Sequence, residues 1–148
     1  MKWVKASEEV AMEIGLNLRQ EDANEVMLSH AMQPLEAVLE SFYASTICSA
    51  IEGDNGRPVG ITGVCGDRIW LLGTYSLTAT KNHRRMLCLH GRAWVDHCLK
   101  EIGSPIGNFV YSKNQAGIRW LRHLGFTVES ARPFGPSSAL FCPFWRAA

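Results

Sequence analysis

Asn114-Gln115-Ala116-Gly117-Ile118-Arg119-Trp120-Leu121-Arg122-His123-Leu124-Gly125-Phe126 decides the fold of this chain. Asn114 is placed to cap a helix, its side-chain oxygen accepting one of the backbone N–H groups left without a partner at the helix start. Ile118, Leu121 and Leu124 recur at helical spacing, and Gly125 supplies the stop. Asn108 to Ser112 reads as a short strand before this helix, and Phe126 and Val128 begin another after it.

Outward from this unit, the same rules divide the rest of the chain. Lys2 to Lys5 is a strand candidate, and Ser7 caps a helix with Glu8 and Glu9 in its first turn and Val10, Ile14 and Leu18 on its apolar side. Asn17 to Ala23 is polar and reads as a connection or a frayed helix end. A second helix starts at Pro34 and runs to about Ser45. Ile47 to Ile51, Val59 to Val64 and Ile69 to Tyr75 form an antiparallel meander, with Asn55-Gly56 as the hairpin signal in its first turn. A long helix follows from about His83 to Lys100, with Leu87, Trp94, Val95 and Cys98 inward. Gly103-Ser104-Pro105 ends it. Pro133 to Ser138 is a loop, and Ala139 to Phe144 the last strand. The expectation is a single α/β domain over residues 1–148, with a twisted, mostly antiparallel sheet and helices on both faces.

Length and composition agree. The chain has 148 residues, 47% of them apolar, and a net charge of +1. That suits one globular domain and gives no reason to expect nucleic acid or a membrane as partner. No apolar stretch approaches the ~20 residues of a membrane span, and no signal-peptide pattern is expected at the start. Five cysteines without a Cys-x-x-Cys pair fit reduced thiols in a cytoplasmic setting better than a disulfide framework. Cys88 and Cys98 lie nearly three turns apart on one expected helix, too far to share a metal, and none is expected.

The strand, Asn-capped helix and Leu124-Gly125-Phe126 unit resembles the acetyl-CoA-binding half of the GNAT N-acetyltransferases. The element order is similar over essentially the whole chain. The resemblance implies an acetyl-CoA cofactor and an amine acceptor. It also implies a V-shaped opening between Ile69–Tyr75 and Asn108–Ser112, where the pantetheine arm pairs like an added strand. Leu72, Thr74 and Asn114 would then flank the arm. In the family a glycine-rich loop at a helix start holds the pyrophosphate. Here that loop is Thr80-Lys81-Asn82-His83-Arg84-Arg85-Met86, without glycine, so His83, Arg84 and Arg85 become the candidates for phosphate. Many GNAT enzymes place a Tyr seven residues after the Asn, as general acid. That position is Leu121, which cannot donate a proton. Tyr111, Ser112 and Tyr75 are the substitutes, provided one lies within ~3 Å of the reacting atoms or one water away. Asp67 and His30 are weak candidates for a base, since each has an ordinary turn or surface role.

One branch is similar in more detail, through Leu18-Arg19-x-x-Asp22 to Glu25-Val26, Cys65-Gly66-Asp67 to Trp70-Leu71-Leu72-Gly73-Thr74, Arg92-Ala93-Trp94 and Pro133 to Pro136. That branch is the GNAT-like internal virion or assembly protein of short-tailed phages and related prophage proteins. It implies phage virion or assembly partners, a host-cytoplasmic or virion location, and a fold that persists after catalysis is lost.

Overall fold

The structure, a computed structural model, describes residues 1–148. In chain order it comprises β1 (Lys2–Lys5), α1 (Glu8–Leu16), α2 (Gln20–His30), α3 (Pro34–Ala44), β2 (Ile47–Glu52), β3 (Pro58–Cys65) and β4 (Arg68–Gly73). A one-turn 3-10 segment (Tyr75–Leu77) precedes α4 (Lys81–Ile102), β5 (Ile106–Tyr111), α5 (Gln115–His123), β6 (Thr127–Val128), β7 (Arg132–Phe134) and β8 (Ala139–Arg146). The eight strands form one sheet in the order β1-β2-β3-β4-β5-β8-β6, with β7 also on β8. All pairings are antiparallel except β4 with β5.

Local chemistry fixes the helix ends. Ser7 Oγ accepts from Val10 N, Thr80 Oγ1 from His83 N and Asn114 Oδ1 from Gly117 N. Gly125 closes α5 at φ 92°, a conformation that favours glycine. Val64, Ile69, Val95, Leu99, Ile118 and Leu121 pack one sheet face against α4 and α5. Ala11, Ile14, Val38, Ile61 and Leu72 pack the other against α1 and α3.

Three expectations need correction, the simplest being that Pro133 and Phe134, expected in a loop, belong to β7 and pair with β8. Asn17 to Ala23 is not merely a connection, because α2 begins at Gln20, and His30 is its last residue instead of preceding the second helix. The inward positions of α2 are Asp22, Glu25, Val26 and Ser29, so an apolar periodicity misses it. Tyr75 does not extend β4. It belongs to the 3-10 turn, whose Leu77 is fully buried. Gly60 and Gly73 make room for Leu77, and a Cβ on Gly73 would collide with Leu77 Cδ2.

β4 and β5 share only one register pair, Arg68 with Gly107. Gly107 N donates to Asp67 O at 3.0 Å. One step on, the Asn108 side chain reaches Ile69 O at 2.9 Å. Beyond that point the strands part, and the opening expected between them is present.

Candidate functional site

Strand alternation decides which backbone groups face the opening. Thr74 N donates to Val59 O, and Leu72 stands opposite Ile61. The backbone groups of residues 70, 72 and 74 therefore turn to β3, and those of 69, 71 and 73 turn to the gap. Ile69 O is taken by Asn108. Gly73 N donates to Asp22 Oδ2 at 2.8 Å, and Gly73 O accepts from Arg19 N at 2.9 Å. Leu71 lies between them, its N–H and C=O turned to the gap with no β5 residue opposite.

α2 crosses the mouth of the opening and points two carboxylates into it. Asp22 is 4% exposed and pairs with Arg19, whose Nε lies 2.9 Å from Oδ2. Burial raises the Asp22 pKa, opposed by the Arg19 charge. Glu25 Oε1 accepts from Tyr111 N at 3.3 Å and from Asn114 Nδ2 at 3.1 Å. Burial is again the main cause of a raised pKa, with the Asn114 hydrogen bond opposing it and the Asp22 charge adding to it. Asn114 thus uses both ends of its amide, one to cap α5 and one to hold Glu25. Gly117 has no side chain to spare, since a Cβ there would sit 2.6 Å from Asn114 Nδ2.

A cavity of about 610 Å³ passes through this region. Asp22, Glu25, Trp70 and Phe109 line it on the α2 side, and Leu87, Gly91 and Trp120 on the α4 side. A carboxylate with a raised pKa, oriented by two donors beside such a space, is equipped to take a proton from an amine.

The residues singled out from the sequence are only partly brought together. Asn114 lines the cavity. Tyr111 ends β5 and Ser112 follows it; Tyr111 N meets Glu25, but neither side chain lines the cavity. Tyr75 is 77% exposed and borders a separate polar cleft with Thr74 and His83. Leu72 is buried against α1 and α3, and Thr74 binds Val59 through both N and Oγ1. His83 is buried, with Nδ1 2.7 Å from Ser76 O and Nε2 accepting from Asp54 N at 3.2 Å. These partners hold the ring in place and give His83 a structural role. Arg84 donates to Thr78 O at 2.9 Å, while Arg85 is exposed. Of the two weak base candidates, Asp67 and His30 are both exposed. Burial pushes the thiols of Cys48 and Cys98 up to about 11 and about 12, which leaves them poor nucleophiles at neutral pH.

Reading for apolar stripes missed Asp22, Glu25 and Leu71. Asp22, Glu25, Val26 and Ser29 recur at helical spacing, a signal of a helix with a wet inner face. The parity of Leu71 follows only from the register.

No protein-family model matches the sequence, and no curated protein matches it in sequence. Solved structures do match in shape. Ribosomal-protein-alanine N-acetyltransferase from Brucella melitensis superposes with a TM-score of 0.71 at 14% identity, covering 100% of both chains. Spermidine N-acetyltransferase SpeG from Vibrio cholerae, as the F149A mutant, gives 0.66 at 9% identity, covering 99% of this chain and 95% of its own. A GNAT phosphinothricin acetyltransferase from Sinorhizobium meliloti, in complex with AcCoA, gives 0.65 at 12% identity over 98% and 86%. The chain has the GNAT fold. No helix is long and apolar enough to cross a membrane.

Within a GNAT fold, the gap beside Leu71 offers a pantetheine arm one free backbone donor and acceptor, while those of Gly73 on the same edge are taken by Asp22 and Arg19. The phosphate end fits less fully. The start of α4 has no glycine, and the Asp54 carboxylate stands there, accepting from Asn82 Nδ2 at 3.0 Å. That hydrogen bond is the main cause of its lowered pKa. Lys81, Arg84 and Arg85 are the cations near enough in sequence to bind phosphate through side chains.

Proposed function

We propose that the protein is an acetyl-CoA-dependent N-acetyltransferase acting on an amine acceptor. The observation that carries this is the parting of β4 from β5 after one register pair, with the Leu71 backbone on one lip and the Glu25 carboxylate across the mouth. The complex of a structural neighbour with AcCoA supports the same ligand. Acetyl-CoA, when bound, supplies an acetyl group activated as a thioester.

The chain's own residues do the rest. Leu71 N–H and C=O hold the arm, and Lys81, Arg84 and Arg85 neutralise the phosphates. Glu25 accepts the proton of the acceptor amine, kept in place by Tyr111 N and Asn114 Nδ2. Its raised pKa suits that task at neutral pH. Asp22 ties α2 to Gly73 and adds negative charge that attracts a cationic amine. Leu121 fills the core where a phenol is expected. The proton returned to the departing thiolate is the one that Glu25 has taken, since neither the Tyr111 nor the Ser112 side chain lines the cavity. Positioning supplies most of the rate. The site belongs to one domain working in the cytoplasm.

Thermal denaturation with acetyl-CoA tests this. A ligand at ~1,000 times its dissociation constant adds ~4 kcal/mol of apparent stability, a rise of roughly 10 °C at this size. A flat melting temperature at millimolar acetyl-CoA removes the reading.

A second reading has its own observation. Asp22 and Glu25 already occupy donors at Gly73 and Tyr111, and the α4 start lacks a glycine cradle. Both suit a GNAT-shaped assembly protein of a short-tailed phage that no longer turns over. It requires co-purification with virion or prohead components, and absence from all such fractions excludes it.

A further inference from the structure

The α2-side lobe of the cavity ends in a feature that acetyl transfer to a simple amine leaves unused. Phe109 on β5 stacks on Phe134 of β7, with ring centroids 4.0 Å apart and planes within 15°. Arg68, from β4, places its guanidinium carbon 5.1 Å from the Phe109 centroid, and Arg132, from β7, places its own at 5.5 Å. The two guanidinium carbons are therefore within about 11 Å of each other, the sum of those distances.

Neither arginine is held by a close ion pair within the chain. Arg132 forms no ion pair, and the nearest carboxylate to Arg68 is its neighbour Asp67, at 3.9 Å and 71% exposed. Neither side chain donates a hydrogen bond to the protein. Two like charges drawn to one ring, with free forked donors, form a receptor for a carboxylate or phosphate. Arg68 and Phe109 line this lobe, and Arg132, outside its lining, meets it at the Phe109 ring. The other ionisable side chains lining it are Asp22, Glu25, Glu40, His30 and Arg19, which Asp22 already holds.

We propose that Arg68 and Arg132 form an anion clamp, and that the acceptor is a short amine carrying a carboxylate or phosphate at its far end. This inference rests on the transferase reading for its amine end only. Phe109 and Tyr111 lie two residues apart on β5, about 7 Å at the usual strand rise. Tyr111 N marks the Glu25 end and Phe109 the guanidinium end, so a short acceptor lies along this stretch of β5. The stacked phenyl rings offer an apolar floor to the body between them. An acceptor of opposite polarity, with a second cation at the far end, meets two guanidinium groups there and is rejected.

The test is an NMR titration without acetyl-CoA, giving dissociation constants for matched pairs of probes. Glycylglycine is compared with glycylglycinamide, and 3-aminopropyl phosphate with 3-aminopropanol. Wild type should bind each anionic probe at least tenfold more tightly than its neutral counterpart. The pair with the larger ratio identifies carboxylate or phosphate as the preferred group. R68A/R132A should erase the difference, and R68K/R132K should retain part of it. Both positions are exposed, and an unchanged melting temperature verifies that the variants fold. Equal binding within both pairs, or a preference that survives in R68A/R132A, overturns the proposal. Initial rates of acetyl transfer to the same probes are then measured separately. Absent transfer with the binding preference intact removes the transferase reading and leaves the anion clamp standing.

Discussion

In the proposed reaction Glu25 carries the heaviest chemical load of any single residue. E25Q keeps an oxygen for Tyr111 N and Asn114 Nδ2 but removes the base. Turnover should fall by about 10²–10⁴, the usual worth of general base catalysis, with little change in the acetyl-CoA thermal shift. The same variant tests the environment of the carboxylate. A folded pKa raised above the ordinary 4.5 means that the native state binds the proton more tightly than the unfolded state. The contribution of Glu25 to stability is then complete below 4.5 and is lost as pH rises through its folded pKa. E25Q and wild type should melt together near pH 4, and E25Q should melt higher at pH 7. Equal melting temperatures at both pH values contradict the burial of this carboxylate. Asn114→Ala removes the α5 cap, at a cost of ~1 kcal/mol, and also frees Glu25. It should lower both the denaturation midpoint and kcat, whereas a capping residue alone lowers only the first.

At the scale of elements, the 3-10 turn and α2 replace what the sequence pattern suggested. Leu77 is fully buried between Gly60 and Gly73, so L77A should cost about 2–5 kcal/mol in urea denaturation, as for other deeply buried leucines. A loss below 1 kcal/mol means that this turn is not locked against the sheet. Caps and periodic apolar faces were legible before any coordinates. Ser7, Pro34, Gly103, Asn114 and Gly125 mark helix ends where the structure has them. The helix α2 was not legible, because its inner face meets a cavity and carries carboxylates. The site suffered for the same reason: a strand residue such as Leu71 shows its backbone role only once its register against β3 is known. Tyr75 looked like the end of β4 because nothing local distinguishes a 3-10 turn from a strand end. Its companion Leu77 is buried only through two glycines brought in from β3 and β4.

For the whole molecule, the sheet brings a partly acidic wall from α2 and α3 against an opening that leads through to α4 and α5. The basic start of α4 borders a separate polar cleft instead of this cavity. In the proposed complex it meets the phosphates, and R84A/R85A should abolish the acetyl-CoA shift. An unchanged shift moves the phosphates away from that helix start. The claim on which the other proposals depend is that the parted edge of β4 receives the cofactor arm. Backbone amide NMR during an acetyl-CoA titration tests it directly. The Leu71 amide should show one of the largest saturable shifts, together with that of Gly117. Shifts confined to exposed positions of α4, or none at all, contradict it.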